Sequence, residues 1–241
     1  MLQLNNVSHS YDKGKTWAVR DLSLNAKQGE IFGFLGPNGA GKTTTLRMIV
    51  GLLPPTSGNI LVTDIDVWKN PTAAKKVISF LPDNPNVYER LTGWEYIRFM
   101  ADIYGVSQEE REQRAERLLT QFEMLHAAPD LISSYSHGMR QKIALTAALI
   151  HDPKIIILDE PMVGLDPRSA AILKQLLREH CDRGATVFFS THILDVAERL
   201  CDRVGIINKG YLIAQGTLEE LRQGQRTDAT LEALFLELTQ A

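Results

Sequence analysis

The chain has 241 residues, of which 44% are apolar and 23% are charged, and its net charge is −3. These values are typical of a globular protein and give no indication of a broad nucleic-acid-binding or membrane-binding surface. No apolar stretch approaches the roughly 18 residues of a membrane-spanning helix, and the first ten residues carry no signal-peptide pattern. The two cysteines, Cys181 and Cys201, have no close pairing motif, which favours a reduced, intracellular protein.

The first 65 residues are predicted to be rich in strands. Residues 2–8 and 19–26 are apolar or alternate between apolar and polar, with a turn-like Asp-Lys-Gly-Lys between them. Residues 31–35 form a short apolar strand that leads into a glycine-rich loop. The apolar residues between 43 and 53 then predict a helix, so the loop is expected to join a strand to a helix.

A helical block is predicted to follow, between about residues 86 and 151. Apolar side chains recur there at helical spacing over residues 94–104, 109–122 and 137–150. Because the segments on either side favour strands alternating with helices, we interpret this block as a helical subdomain inserted into an α/β core.

Strands and helices alternate again toward the C-terminus. The predicted strands are 154–158, 185–190 and 203–208, the predicted helices are 168–183 and 193–201, and a β-arm at 210–216 and a tail helix at 228–239 follow. This alternation favours a mostly parallel sheet that is covered by helices on both faces.

The strongest local motif lies in the glycine-rich loop, whose sequence is Gly36-Pro37-Asn38-Gly39-Ala40-Gly41-Lys42-Thr43. It matches the pattern G-x-x-x-x-G-K-[ST] of phosphate-binding loops, in which glycines let consecutive N–H groups point at phosphate oxygens. Lys42 is then expected to reach the β- and γ-phosphates of a nucleotide, and Thr43 to hold Mg²⁺. A simple glycine-rich turn is the alternative, but the flanking strand and helix favour the phosphate site.

A second element of this site is predicted at the end of the apolar strand Ile155–Leu158, where Asp159 and Glu160 follow. The carboxylate of Asp159 suits Mg²⁺, directly or through water. Glu160 could polarise an attacking water molecule. A pair of strand-end capping residues is the alternative, and the phosphate-binding loop earlier in the chain favours the catalytic interpretation.

Three further motifs complete an ordered set. Tyr135-Ser136-His137-Gly138-Met139 precedes the acidic strand, Gly164-Leu165-Asp166-Pro167 follows it, and Ser190-Thr191-His192 ends a later strand. In this order the motifs resemble those of the ATP-binding cassette (ABC) ATPases, and the resemblance covers residues 2 to about 223.

The resemblance implies an α/β fold within a single ABC ATPase domain. The expected parts are a P-loop NTPase core with a mostly parallel sheet (about 1–85 and 152–223), an N-terminal antiparallel β subdomain, an inserted helical subdomain (about 86–151) and a C-terminal tail helix (about 224–241). ATP and Mg²⁺ are the implied cofactors.

The resemblance also assigns roles to single residues. It implies that Glu160 is the catalytic carboxylate, that His192 contacts the γ-phosphate and orients Glu160 and water, and that Lys42 acts on the phosphates. Thr43 and Asp159 are implied to hold Mg²⁺. The implied ATP-binding residues are Tyr11, Val19, Gly36, Pro37, Asn38, Gly39, Ala40, Gly41, Lys42, Thr43, Thr44, Ser136, Gly138 and Asp166.

Some of these residues are implied to act in particular places. Tyr11 matches the aromatic residue that stacks on adenine, with Val19 nearby. Ser136 and Gly138 belong to a signature that serves ATP held by a second subunit, and Asp166 lies in a loop that touches that subunit. A head-to-tail pair, either a homodimer or a pair with a related chain, is therefore expected.

The sequence departs from the family pattern in two places. His137 and Met139 stand where glycine and glutamine are common, although Ser136 and Gly138 remain. Asp83 stands where the family usually has a glutamine that touches Mg²⁺. Asp83 could still be a metal ligand, and a turn aspartate is the alternative.

The resemblance further implies a transmembrane permease as partner, no nucleic acid, and a cytoplasmic position on the inner face of the cell membrane. Residues 85–94 and 230–238 resemble bacterial export-type ATPases, which favours export over import. Two alternatives remain: a soluble ABC ATPase of Fe–S assembly or another non-transport process, and a nucleotide-binding regulator without turnover. The intact set of Lys42, Asp159, Glu160 and His192 argues against the regulator.

Overall fold

Two β-sheets form the framework of the protein, and the computed structural model describes residues 1–222 and 231–240. The strands are β1 (Leu2–His9), β2 (Val19–Ala26), β3 (Ile31–Leu35), β4 (Ser57–Val62), β5 (Ile65–Asp66), β6 (Ile78–Leu81), β7 (Ile155–Asp159), β8 (Thr186–Thr191), β9 (Arg203–Asn208) and β10 (Tyr211–Gly216). The helices are α1 (Lys42–Ile49), α2 (Pro71–Val77), α3 (Gly93–Ile103), α4 (Gln108–Gln121), α5 (His137–Leu149), α6 (Pro167–Asp182), α7 (Leu194–Leu200), α8 (Leu218–Arg222) and α9 (Leu231–Gln240).

The smaller sheet is antiparallel and has the order β2-β1-β4-β5. Leu4 of β1 lies opposite Leu24 of β2, and both side chains are buried, as the alternation of the sequence predicts. This confirms the expected N-terminal antiparallel sheet. The segment 57–81, which holds β4, β5, α2 and β6, was not predicted in detail, because its elements are short and α2 buries only Ala74.

The larger sheet has the order β10-β9-β3-β8-β7-β6. Its strands are parallel except β10, which pairs antiparallel with β9. Every residue of β3, β7 and β8 is buried, because helices cover both faces of the sheet. The predicted α/β fold with a mostly parallel sheet is therefore confirmed. Since parallel strands end at one edge, the ends of β3, β7 and β8 lie side by side there.

Three helices, α3, α4 and α5, follow β6 in the chain and precede β7. They share a core to which Ile97, Leu119, Phe122 and Ile143 contribute fully buried side chains. A capping box at Thr92 starts α3, which fixes its N-terminus. The boundaries at about residues 86 and 151 remain a prediction.

The C-terminal part contains a helix where the sequence predicts one. The predicted tail helix spans residues 228–239 and the observed α9 begins at Leu231; residues 228–230, like the predicted boundary at 224, lie outside the described residues. Within the two described ranges, no helix combines the length and the apolar composition needed to cross a membrane.

Candidate active site

The phosphate-binding loop joins the carboxyl end of β3 to α1, which begins at Lys42. The loop lies so close to β9 that a Cβ atom on Gly36 would be 2.5 Å from the carbonyl oxygen of Ile207. In the turn after β9, Gly210 donates its N–H to the carbonyl oxygen of Ala40 at 2.9 Å. The β9–β10 hairpin therefore packs against the loop and holds it in place. Position 36 must be glycine because a side chain there would clash with β9.

Lys42 folds back over its own loop. Its Nζ donates to the carbonyl oxygen of Gly36 at 2.7 Å and to that of Pro37 at 3.3 Å, and it lies 4.0 Å from Oε1 of Glu160. Burial lowers the pKa of Lys42, while the charges of Glu160 and Asp159 act in the opposite direction. The charge of a buried cation can attract a phosphate, which would replace the carbonyl contacts.

Asp159 ends the buried strand β7 and is itself buried. Its Oδ2 accepts a hydrogen bond of 3.0 Å from Oγ1 of Thr43, and its Oδ1 accepts one from the hydroxyl of Ser190. These contacts bring a hydroxyl oxygen of α1 and a carboxylate of β7 together. Such oxygen ligands fit Mg²⁺, which binds proteins through a few carboxylate and hydroxyl groups and otherwise keeps water and phosphate ligands.

Glu160 lies beside His192, at the carboxyl ends of β7 and β8. Nδ1 of His192 is 2.8 Å from Oε1 of Glu160, and Oγ1 of Thr191 donates to Oε2 at 3.0 Å. The backbone of Glu160 has φ of 47°, and its N–H donates to the carbonyl oxygen of Ser190 at 3.1 Å. Positive φ is uncommon for a non-glycine residue, so the neighbouring strand holds this carboxylate in an unusual backbone position.

A cavity of ≈ 270 Å³ collects most of the predicted phosphate-site residues. It is lined by Ala18, Pro37, Asn38, Gly39, Gly41, Lys42, Thr43, Thr44, Asp83, Asp159 and Glu160. Asp83 is exposed at its edge, which places the carboxylate that replaces the usual glutamine on the same side as Thr43 and Asp159. The structure therefore gathers the loop, both strand-end acids and Asp83 around one space.

Tyr11 and Val19, the predicted adenine contacts, differ in their surroundings. Tyr11 is 62% exposed, and its hydroxyl lies 3.2 Å from Oγ1 of Thr44, so its ring is accessible next to the loop. Val19 is fully buried against Gly41. Its neighbour Ala18 lines the cavity instead. The sequence gives little indication that Ala18 lines the site, since it is a small residue just before a strand.

Ser136, Gly138 and Asp166 lie apart from this cavity, since none of them lines it. Ser136 caps α5 by accepting the N–H of Met139 at 3.3 Å. Asp166 caps α6, and hydrogen bonds from Ser169 lower the pKa of Asp166 to about 2. The capped N-termini of α5 and α6 therefore do not line the cavity formed by the phosphate-binding loop of the same chain.

The start of α5 contacts the loop that precedes α6. A Cβ atom on Gly164, whose φ is 81°, would lie 2.6 Å from Nε2 of His137. Nζ of Lys142 lies 3.6 Å from Oδ2 of Asp166. This role of Lys142 was not predicted from the sequence, although its position one helical turn beyond Gly138 could have indicated it.

Two further residues hold the strand-end acids, although the sequence predicted a site role only for their neighbour His192. Ser190 bonds Asp159, and Thr191 bonds Glu160. Their signal is positional: both are polar residues at the carboxyl end of a buried parallel strand, next to the strand that carries the acids.

The comparison with known families decides the classification. The sequence model of the family described as ABC transporter matches residues 19–163. The chain belongs to the ABC transporter family. This ABC protein is 40% identical over 221 residues to the linearmycin resistance ATP-binding protein LnrL of Bacillus subtilis (strain 168), a match that covers 92% of this chain and 70% of LnrL.

Solved structures agree with this classification. A structure described as the ATP-binding subunit of an ABC transporter covers 99% of each chain, with a TM-score of 0.94 and 34% identity. A second, described as a dimeric post-hydrolysis state of an ATP-binding cassette bound to ADP and Pi, has a TM-score of 0.82 and 29% identity over 90% of this chain and 99% of that one. The ABC protein is therefore an ABC-type ATPase with the P-loop fold.

Proposed function

We propose that this ATPase powers a membrane exporter and that Glu160 and His192 carry out its hydrolytic step. The observation that carries the hydrolytic roles of Glu160 and His192 is the 2.8 Å contact between Nδ1 of His192 and Oε1 of Glu160, beside the cavity that Lys42 lines. A carboxylate held by an imidazole at a phosphate site suits the activation of water.

The proposed reaction uses the residues in fixed roles. The loop amides and Lys42 bind the β- and γ-phosphates of ATP. Glu160 accepts a proton from water as the water oxygen bonds to the γ-phosphorus, and the bond between that phosphorus and the β,γ-bridging oxygen breaks. The products are ADP and phosphate. His192 orients Glu160 and donates a hydrogen bond to the γ-phosphate, which stabilises the charge of the transition state.

We propose that Thr43, Asp159 and Asp83 hold Mg²⁺ at this site. The support is the hydrogen bond between Thr43 and Asp159 and the position of Asp83 at the edge of the same cavity. Bound Mg²⁺ would neutralise phosphate charge during transfer.

A second cassette is proposed to complete each site. Ser136, Gly138 and Asp166 lie outside the cavity, where they can face the ATP of another subunit. The N-terminus of α5 would then add its positive dipole to that phosphate. The similar dimeric cassette bound to ADP and Pi supports this arrangement. The partner is either a second copy or a related chain.

The proposed membrane partner would contact the face formed by α3 and the segment before it. Tyr88 and Phe99 pack edge to face there although both are exposed, and Met100 and Tyr104 line a neighbouring cavity of ≈ 250 Å³. Exposed apolar groups that gather around a groove favour protein docking. The name of LnrL, a resistance protein, supports export. A permease on this face would place the ATPase on the cytoplasmic side of the membrane.

The test is a pull-down of tagged Glu160→Gln with ATP from gently solubilised native membranes. We expect a multi-spanning membrane protein in stoichiometric amounts, since a variant that binds ATP without hydrolysing it keeps the complex closed. Recovery of soluble proteins alone would contradict the transport proposal and leave the ATPase assignment intact.

A matched control separates docking from nucleotide trapping. Glu160→Gln combined with Phe99→Asp changes the apolar face and leaves the phosphate site unchanged. We expect this double variant to retain ATP and to lose the membrane protein. Retention of the membrane protein would show that it binds another surface.

A further inference from the structure

An apolar cluster packs the C-terminal helix α9 against the larger sheet and α7. It contains the fully or nearly fully buried residues Leu35, Ala197, Val204, Ile206, Leu231 and Leu234. These residues come from β3, α7, β9 and α9. The cluster therefore connects α9 to elements that end at the nucleotide site.

The first connection runs through α7. This helix starts at Leu194, two residues after His192, and Ala197 is its one fully buried residue. The residue at its N-cap, Ile193, makes no side-chain capping bond. Such a short helix has little stability of its own, so its position depends on what packs against it.

Two C-terminal segments supply that packing. Leu231 and Leu234 of α9 contribute to the same cluster as Ala197. Arg222, the last residue of α8, forms an ion pair with Glu198 on α7. The position of α7, and with it the loop that carries His192, is thus held from the C-terminal side.

The second connection runs through β9. Asn208, its last residue, donates its side-chain N–H to the carbonyl oxygen of Thr239 on α9 at 3.1 Å. The preceding residue, Ile207, has its carbonyl oxygen against Gly36 of the phosphate-binding loop. Leu35 directly precedes this loop and lies opposite Ile206 in the sheet. Contacts therefore lead from α9 to the phosphate-binding loop as well as to the helix that follows His192.

We propose that α9 is a positioning element for hydrolysis: Leu231 and Leu234 hold α7 so that His192 stays in contact with Glu160. The inference rests on the roles proposed above for His192 and Glu160. We expect the apolar anchors to act mainly on the hydrolytic step, because the phosphate-binding loop is also held by the hydrogen bond from Gly210 to Ala40, which does not involve α9. Truncating the apolar anchors of α9 should therefore lower kcat and leave KM nearly unchanged.

The experiment uses the full chain with both anchors truncated, Leu231→Ala and Leu234→Ala. The matched control is Leu236→Ala, which removes the same atoms from an exposed position of the same helix. We expect the double variant to lose about ten-fold in kcat for ATP, with KM changed by less than about two-fold, because small displacements of catalytic groups are costly. The control should behave like the parent protein.

A second readout follows His192 directly and does not depend on turnover. The Cε1–H resonance of His192 in the NMR spectrum is identified by its absence from the spectrum of His192→Gln. We expect this resonance to shift in the double variant and to stay unchanged in the control. Either an unchanged resonance or an unchanged kcat in the double variant would overturn the inference.

The outcomes also separate this inference from the proposed function. A parent protein that does not hydrolyse ATP would contradict the function, whereas a parent that does, with a double variant of equal kcat, would contradict the inference alone. If the double variant melts well below the parent by circular dichroism, Leu234→Ala alone replaces it. That variant must move the His192 resonance in the same direction by a smaller amount.

Discussion

Glu160 and His192 are joined at 2.8 Å through Oε1 and Nδ1, and the second oxygen of Glu160 accepts a hydrogen bond from Thr191. The carboxylate is thus held at both oxygens by the end of β8, while its own backbone belongs to the end of β7. Two neighbouring parallel strands therefore fix the distance between the proposed base and the histidine before any nucleotide binds. This preorganisation makes the chemical step sensitive to either residue.

Replacing Glu160 with Gln should abolish hydrolysis and keep ATP binding. The amide has nearly the same size and can still accept a hydrogen bond, but it cannot take a proton from water. We expect kcat to fall by at least about 10²-fold, measured as phosphate release, with ATP affinity within about three-fold of the parent by equilibrium binding. Glu123→Gln, at an exposed position, serves as the control. Normal turnover by Glu160→Gln would remove Glu160 from the proposed mechanism.

Asp159→Asn should raise the concentration of Mg²⁺ needed for activity. The change keeps the shape that accepts the hydrogen bond from Thr43 but removes the negative charge that attracts the cation. We expect half-maximal activity at a Mg²⁺ concentration about ten-fold higher or more, and no activity in the parent protein after chelation. A titration of ATPase activity with MgCl₂ measures both. An Asp159→Asn curve that overlays the parent would exclude this residue from the Mg²⁺ site.

Asp83→Ala tests the departure from the family pattern in the same titration. If Asp83 contributes to the Mg²⁺ site, the required concentration also rises, by less than for Asp159→Asn, because Asp83 is exposed at the edge of the cavity. Asp130→Ala, an exposed aspartate outside the lining of the cavity, is the matched control. An unchanged requirement in Asp83→Ala would favour the role of a turn residue.

His151 should make the protein less stable in mild acid. Burial lowers the pKa of His151 to about 4 from 6.5, with Asp152 acting in the opposite direction and Arg114 in the same direction as burial. Below pH 6.5 the unfolded chain binds a proton at His151 that the native state does not bind. The free energy of unfolding therefore decreases as the pH falls from 6.5 until the native state is also protonated, at about pH 4. The expected loss between about pH 7.5 and about pH 5 is about 2 kcal/mol.

The measurement is urea unfolding at these two pH values for the parent and for His151→Phe. The phenyl ring can keep the stacking on Tyr104, which lies 3.6 Å from the imidazole between ring centroids, without titrating. His126→Phe makes the same replacement at an exposed position and is the matched control. Equal pH dependence in the parent and in His151→Phe would show that His151 does not contribute.

Gly164→Ala should destabilise the protein, and His137→Gly should recover part of the loss. The new methyl group would meet Nε2 of His137 at 2.6 Å and would also sit at a φ of 81°. We expect a loss of about 2–4 kcal/mol in the free energy of unfolding, of which about 1–2 kcal/mol comes from the backbone conformation and remains in the double variant. A double-mutant cycle by urea unfolding gives the coupling, and a value near zero would contradict the clash.

The phosphate site could be predicted from the sequence because each of its motifs lies within a few consecutive residues. The loop residues Gly36–Thr43, the acids Asp159 and Glu160 and the residue His192 each stand at the end of an apolar strand, and parallel strands bring such ends to one edge. The sheet itself followed from the alternation of strands and helices. These features depend on chemistry within a few residues, which a single sequence displays.

Other features depend on contacts between distant segments, and the sequence did not predict them. Ala18 lines the cavity while Val19 is buried, which is decided by how β2 meets the phosphate-binding loop. Lys142 meets Asp166 because α5 packs beside the start of α6. The short helix α2 has too few apolar residues to show a helical pattern. Each of these outcomes is set by tertiary packing.

The contact between His137 and Gly164 also has an evolutionary consequence. While the imidazole of His137 fills the space above position 164, a larger residue at position 164 would clash with it. While position 164 remains glycine, position 137 can carry a bulky ring in place of the glycine that is common there. Mutations at the two sites are then acceptable only in a particular order, with the histidine lost before the glycine is replaced. Descendants of this chain should therefore keep both residues or change His137 first.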